Sequence, residues 1–145
     1  MAKRNSKEYG VPTILLASCA SVTKLMTLGP AEFHPRPKID SVVIRMDFEK
    51  LLPGIAELPP YNFELFRRIV RTSFNQRRKT ILNTLSGAGF FLPDCNREKA
   101  MNKDLTRQVI EDADLSVQAR PETLSVEDFV KLSLGIEQLK NRLRP

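Results

Sequence analysis

Residues 67–80 read RRIVRTSFNQRRKT and hold five arginines, one lysine and no Asp or Glu. At about 100° per residue, one set of side chains in and just before this stretch falls within a helical arc of roughly 140°. The core-facing set is Phe66, Ile69, Val70, Ser73 and Phe74. The opposite face carries Arg67, Arg68 and Arg71. The pattern predicts an amphipathic helix with a basic, solvated stripe.

The helix is not expected to continue through the whole stretch. Extending it would carry Arg77 to the apolar face, which predicts a break at residues 73–75. Ser73 or Asn75 would then cap a second helix. Its first turns would carry Arg77, Arg78 and Lys79. Basic residues there oppose the helix dipole, and a bound anion would relieve that conflict.

The net charge of the chain is concentrated in this one window. The 145 residues carry a formal charge of +6, and residues 67–80 supply six positive charges, so elsewhere 17 basic residues balance 17 acidic ones. Such a cluster raises the local concentration of a polyanion, and guanidinium groups match phosphate geometry. RNA or DNA is therefore the first partner to consider. The alternative is that the six basic residues form no more than a solvated face.

Composition indicates a soluble globular protein, with 41% hydrophobic and 28% charged residues. The longest nearly apolar run, residues 11–22, is too short for the roughly 20 residues that cross a bilayer, so no membrane partner is expected. The opening residues lack the apolar stretch of a secretory signal, which makes a cytoplasmic location the default. Cys19 and Cys95 lie far apart, and free buried thiols are expected.

Metal and phosphate-loop chemistry find no support in the sequence. The chain has one histidine, His34, and no Cys-x-x-Cys, so the ligands of a structural zinc site are missing. Gly87 and Gly89 are the nearest approach to a glycine-rich loop, but they follow a helical pattern. They are interpreted as a helix stop with a left-handed cap. No metal and no bound cofactor is expected for this chain.

Before residue 50 the pattern is mixed. Pro12 suits the first turn of a helix that runs to Cys19. Strands are predicted over residues 22–28 and 39–48. Three apolar residues follow one another at 42–44, which is expected when both faces of a sheet are covered. Two strands cannot form a complete sheet domain by themselves.

The rest of the chain is predicted to be helical after a linker at residues 51–61, which contains Pro53, Pro59 and Pro60. Asp104 or Thr106 can cap a short helix. Ser125 and Asp128 form a variant of the capping box ahead of the last helix. The fold class is therefore mostly α: a small C-terminal helical bundle over residues 62–145, preceded by a helix and a strand pair.

Three segments in order carry a family resemblance: SKEYG at residues 6–10, FHPRPKIDS at 33–41 and RTSFNQRRKT at 71–80. Together they resemble the C-terminal part of the ribosomal RNA small-subunit adenine N6,N6-dimethyltransferases, the dimethyladenosine transferases. The resemblance runs from about residue 6 to about residue 134. These enzymes dimethylate two neighbouring adenines near the 3′ end of small-subunit rRNA.

The resemblance implies a longer parent enzyme. In this family a Rossmann-like domain comes first, with a glycine-rich loop for S-adenosylmethionine and an Asn-Leu/Ile-Pro-Tyr motif, and this sequence contains neither. Residues 1–50 are thus expected to be the end of that domain. S-adenosylmethionine is expected in the parent, and this piece alone is expected to be inactive. Its exposed strand edge could also pair two copies into a non-physiological dimer.

The resemblance also suggests roles for individual residues, with small-subunit rRNA or the immature small ribosomal subunit as the partner. Phe33 matches the position expected to stack on the target adenine; its alternative is a hydrophobic plug between loop and sheet. The expected RNA-binding residues are Lys38, Arg67, Arg68, Arg71, Arg77, Arg78 and Lys79. Arg77 or Arg78 could instead fix an interdomain contact through a salt bridge to a carboxylate. A stand-alone helical nucleic-acid-binding module without an enzymatic parent is the alternative function.

Overall fold

A helix and two antiparallel strands form the first part of the fold. The computed structural model describes residues 3–51, 53–92 and 98–143. In chain order the first elements are α1 (Val11–Cys19), β1 (Ser21–Leu28), a 3-10 turn (Pro30–Glu32) and β2 (Ser41–Asp47). Pro12 lies in the first turn of α1, as expected from its missing amide proton. The predicted helix and both predicted strands are therefore confirmed.

The strand pair exposes apolar side chains that the sequence predicted to be buried on both faces of a sheet. β1 and β2 pair only with each other among the described strands, with an irregularity between Lys24 and Met26. On β2, Val42 is 50% exposed, and Ile44 and Met46 are exposed as well. No described element shields these side chains, so the cover expected on both faces is not supplied by the described part of the chain.

Helices make up the remaining elements. They are α2 (Pro53–Ala56), α3 (Phe63–Phe74), α4 (Ile81–Ser86), α5 (Lys99–Asp112), a 3-10 turn (Pro121–Thr123) and α6 (Val126–Leu143). α3 packs on α6 and α4, and α5 packs on α4 and α6. At one α5–α6 contact a Cβ added to Gly135 would lie 2.9 Å from a methyl carbon of Val109, so glycine permits the close approach.

A single hydrophobic cluster joins α1 to these helices. Ile14 of α1 is fully buried together with Phe66 of α3 and Phe129 of α6. Ile55 of α2 belongs to the same cluster, so the segment predicted as a linker contributes a core residue. The division into residues 1–50, 51–61 and 62–145 stays a prediction.

The predicted break after α3 is present, but the predicted caps are wrong. Asn75 follows the last residue of α3 as its C-cap, and the buried Ser73 hydroxyl donates to the Ile69 carbonyl. Thr80 caps α4 by accepting from the Asn83 amide. Because α4 starts only at Ile81, the basic residues 77–79 lie in the turn before the helix, not in its first turns.

Two other predicted helix ends also differ. α5 begins at Lys99, so Asp104 and Thr106 lie inside it and do not cap it. The Thr106 hydroxyl donates to the Asn102 carbonyl one turn earlier. After α4 the residue with positive φ is Gly89, whereas the C-cap Gly87 is right-handed.

The structure tests the predicted free thiol at Cys19 and the prediction that no segment crosses a membrane, within the described residues. Cys19 is a free, half-buried thiol whose sulfur contacts the Leu15 carbonyl oxygen at 3.3 Å. Cys95 lies outside the described residues. In the part of the chain that the structure describes, every helix falls short of the length and apolar content that a membrane crossing requires.

The capping box at the start of α6 is confirmed. The Ser125 amide donates to Asp128 Oδ2 at 2.8 Å, and the Asp128 amide donates to Ser125 Oγ at 3.1 Å. Two backbone amides that the helix cannot satisfy are thereby paired. The box fixes the start of the longest described helix, which supplies Phe129 and Ile136 to the core.

Ser125→Ala is expected to lower the free energy of unfolding by about 1 kcal/mol, because the Asp128 amide loses its acceptor. Urea unfolding followed by circular dichroism measures the change. Lys131→Ala, a substitution at an exposed position of the same helix, serves as the control. Its free energy of unfolding should stay within about 0.5 kcal/mol of that of the unsubstituted chain. Equal stability of the two variants would contradict a capping role.

Candidate nucleic-acid interface

The arginine stripe of α3 lies opposite the core, as predicted. Asn62 caps the helix by accepting from the Leu65 amide at 3.1 Å. The buried residues of α3 are Phe66, Ile69, Val70 and Ser73. Burial of this one face leaves the opposite face, with Arg67, Arg68 and Arg71, at the surface.

Two of these three arginines already have protein partners. Arg67 pairs with Glu64 at 2.5 Å, and because the Glu64 side chain is largely exposed and that of Arg67 partly so, the pair contributes little to stability. Arg68 donates to the Ala88 carbonyl at 3.2 Å, and its guanidinium carbon lies 4.7 Å from the centre of the Phe90 ring. Arg68 is therefore partly used to connect α3 to the segment after α4.

Arg77 is the most constrained cation of the cluster. Its two terminal nitrogens donate to the carbonyls of Lys7 at 2.7 Å and Tyr9 at 2.6 Å. The guanidinium also lies 5.4 Å from the Phe74 ring centre. A Cβ added to Gly10 would lie 2.8 Å from Arg77 Nη2, so glycine leaves room for the contact. Arg77 thus connects the turn after α3 to the segment before α1.

The partners of Arg77 differ from those of the salt bridge that the sequence analysis left open. A salt bridge from Arg77 to a carboxylate was considered, and the observed partners are backbone carbonyls instead. Tyr9 is itself fixed: its hydroxyl donates to the Leu124 carbonyl at 2.8 Å, and burial raises the pKa of Tyr9 to about 12. The segment that Arg77 holds is therefore attached to the helical core.

The remaining cations face solvent. Within the described ranges, the side chains of Arg71, Arg78 and Lys79 make no ion pair and no hydrogen bond, and all three are exposed. Arg71 lines a groove of about 500 Å³ along α3. Arg78 and Lys79 line a hollow of about 690 Å³ around the turn. Unpaired cations beside open grooves are available to bind phosphate.

The other predicted site residues lie on a separate loop between β1 and β2. Phe33 follows the 3-10 turn and is 38% exposed, outside the hydrophobic core cluster. Lys38 is exposed farther along the loop. Nothing in the described ranges groups three or more His, Cys, Asp or Glu side chains in a way that could hold a metal ion.

Comparison with known proteins identifies the family. The family model described as "Ribosomal RNA adenine dimethylase" matches residues 1–131. The chain belongs to the ribosomal RNA adenine dimethylase family. The resemblance found in the sequence is thereby confirmed at the level of the family.

Relatives of this dimethylase-family chain are longer than it is. It is 57% identical over 142 residues to "Ribosomal RNA small subunit methyltransferase A" of Desulfotalea psychrophila, covering 98% of this chain and 46% of the relative. The protein of the same name from Clostridium botulinum is 36% identical, with 91% and 42% covered. The chain thus spans about half the length of these curated relatives.

Two solved structures share the fold of this dimethylase-family chain. A dimethyladenosine transferase from Plasmodium falciparum superposes with a TM-score of 0.65 at 22% identity, over 94% of this chain and 52% of that one. The 23S rRNA methyltransferase ErmE superposes with a TM-score of 0.53 at 16% identity, over 93% and 50%. At these identities the likeness concerns the fold alone.

A set of exposed amides, not predicted from the sequence, lies beside the cations. Asn75, Gln76 and Asn83 line a groove between α3 and α4, next to Lys79. In the sequence Asn75 was considered as a helix cap, and Asn75 and Gln76 as part of the segment 71–80 that carries the family resemblance, but neither was considered as a binding side chain. Asn83 joins them only because α4 folds back beside the turn, which one-dimensional patterns do not show.

Arg77→Ala is expected to cost about 1–2 kcal/mol of unfolding free energy, because two carbonyls lose a charged donor. Arg78→Ala is the matched control and should change stability by less than about 0.5 kcal/mol. Urea unfolding of both variants measures the difference. Similar losses for the two would contradict the structural role of Arg77.

A second variant tests the same contact from the other side. Gly10→Ala should destabilise the otherwise unsubstituted chain, because the added methyl group displaces the Arg77 guanidinium. The same substitution should be nearly neutral when Arg77 is already alanine. An equal cost of Gly10→Ala in both backgrounds would show that the two residues do not interact.

Proposed function

We propose that the chain is the C-terminal, RNA-binding part of an S-adenosylmethionine-dependent small-subunit rRNA adenine dimethyltransferase. The observation that carries the proposal is the group of exposed cations without protein partners in the described ranges, Arg71, Arg78 and Lys79. Family membership and the names of the relatives support rRNA as the polyanion. They also favour an enzymatic parent over a stand-alone module.

In this proposal the cations contribute affinity and orientation. Arg71, Arg78 and Lys79 bind backbone phosphates, which positions an RNA helix without reading its sequence. Arg67 can join them, because its exposed pair with Glu64 costs little to exchange for a phosphate. Lys38 would add a contact from the loop between the strands.

The same proposal gives Phe33 a role in the parent enzyme. An adenine that leaves its stack needs a replacement partner, which is commonly an aromatic ring. Phe33 is partly exposed, and Pro35 and Pro37 follow it two and four residues later and stiffen its loop. The proposal assigns Phe33 to stacking on a base rather than to a plug between loop and sheet.

The residues of this chain do not fit an S-adenosylmethionine site. The sequence has no glycine-rich loop, and the described strands are an antiparallel pair, unlike the parallel strand and helix that form such a site. The cofactor and the groups that hold the adenine amino group therefore belong to the remainder of the parent. The chain alone binds RNA and transfers no methyl group.

The exposed strand pair supports the idea of a larger parent. Val42, Ile44 and Met46 of β2 are exposed, as are Leu25 and Met26 of β1. We infer that residues 1–50 complete the sheet of the catalytic domain, which would cover these side chains. In the isolated chain the free edge could pair two copies, a dimer without a role in the enzyme.

The partner in the cell would be small-subunit rRNA, in the form of the immature small ribosomal subunit, and the location cytoplasmic. Binding of the 145-residue chain to an RNA stem–loop at several salt concentrations tests the proposal. The slope of log K against log salt is expected to fall by about 0.7–0.9 for each neutralised phosphate. Arg71→Gln, Arg78→Gln and Lys79→Gln should each flatten the slope by just under one.

Two controls sharpen this experiment. Lys131→Gln removes an exposed charge on α6 and should leave the slope unchanged. Arg67→Gln should have a smaller effect than Arg71→Gln, because Glu64 already offsets part of its charge. A slope unaffected by the three substitutions, or methyl transfer by the chain alone, would contradict the proposal.

A further inference from the structure

A polar groove lies between the cations, where α3, the following turn and α4 meet. This open groove has a volume of about 340 Å³, at the small end of the range for ligand sites. Its lining includes Asn75, Gln76, Lys79, Asn83 and Gly87. Lys79 is the only charged side chain of this lining, so the groove offers mostly neutral hydrogen-bonding groups.

The amides of the groove are available for a ligand. In the described ranges the side chains of Asn75, Gln76 and Asn83 make no hydrogen bond, and all three are exposed. The neighbouring Thr84 hydroxyl, by contrast, is already used by the carbonyls of Thr80 and Ile81. A primary amide presents both a donor and an acceptor, which suits a hydroxyl group that also does both.

We propose that this groove holds a ribose of the bound RNA and that its amides hydrogen-bond the 2′-hydroxyl. The inference rests on the proposed RNA binding and adds a chemical selection to it. The 2′-hydroxyl is the group that distinguishes RNA from DNA at a given site. The cations then supply affinity, and the amides select ribose over deoxyribose.

The position of the groove supports this assignment. It shares Thr72 and Asn75 with the groove that Arg71 lines, and Gln76 and Lys79 with the hollow around Arg78. A strand whose phosphates pair with cations on both sides therefore passes over the amides. Its sugars lie between those phosphates, at the level of the neutral groups.

Gly87 allows the groove to be blocked without disturbing the fold. Its φ of −78° is open to any residue, and a Cβ there would meet only the Asn83 carbonyl oxygen at 3.6 Å, an ordinary contact. A leucine at this exposed position would extend into the groove while leaving the charge unchanged. Gly87→Leu therefore reports on the space in the groove, whereas the triple variant Asn75→Ala, Gln76→Ala and Asn83→Ala reports on its hydrogen bonds.

The test compares one RNA stem–loop with its all-2′-fluoro counterpart, which keeps the phosphate charge and the A-form but cannot donate from the 2′ position. The unsubstituted 145-residue chain should bind the RNA more tightly than the 2′-fluoro probe, by about 5-fold for each hydrogen bond at about 1 kcal/mol per bond. The triple variant Asn75→Ala, Gln76→Ala and Asn83→Ala, and separately Gly87→Leu, should remove this preference and keep the salt slope. Gln108→Ala, an exposed amide on α5, should retain the preference.

The possible results separate the two proposals. Equal binding of both probes by the unsubstituted chain would overturn ribose selection and leave RNA binding in place. A preference for RNA that survives both groove variants would do the same. Equal weakening of both probes by the variants would also overturn it, since the amides would then not read the hydroxyl. Absence of binding to either probe would overturn the proposed function together with this inference.

Discussion

The fork that Arg77 makes with two backbone carbonyls holds the turn between α3 and α4 in place. Among the five exposed residues 75–79 that connect the helices, Arg77 is the one whose side chain hydrogen-bonds to the described part of the chain. The carbonyls belong to Lys7 and Tyr9, and the Tyr9 hydroxyl is itself bonded to the Leu124 carbonyl. The segment before α1 therefore connects the turn to the helical core. Hydrogen bonds from a charged donor are among the stronger ones that can make such a connection.

This contact divides a uniform-looking basic cluster into two groups with different roles. Arg77 and Arg68 use their guanidinium groups on carbonyls and aromatic rings of the protein. Arg71, Arg78 and Lys79 extend into open grooves. Residues 67–80 contain no acid, and Glu64, the one acid that lines these grooves, pairs with Arg67, so the positive charge of the exposed group keeps a net field. Arg77 fixes the backbone of the turn that carries Arg78 and Lys79, which in the proposed RNA binding would lower the entropy lost on binding.

Local patterns in the sequence were enough to predict several elements. The helical period placed Phe66, Ile69 and Val70 on the buried face, and the spacing of Ser125 and Asp128 predicted their reciprocal bonds. What failed depends on contacts between distant segments. α4 starts at Ile81 and not earlier, since its amide bonds to the Ala119 carbonyl and Thr80 caps it. The carbonyl partners of Arg77 lie about seventy residues away, and charge patterns contain no information on backbone acceptors.

Modification of arginines by a dicarbonyl reagent, read residue by residue by mass spectrometry, tests this division most directly. In the free chain Arg71 and Arg78 should react readily and Arg77 slowly, because its nitrogens are held by carbonyls. Saturation with an RNA stem–loop should protect Arg71 and Arg78 and leave Arg77 as slow as before. Arg77 reacting as fast as Arg78, or unchanged reactivity of Arg71 and Arg78 on saturation, would contradict the account.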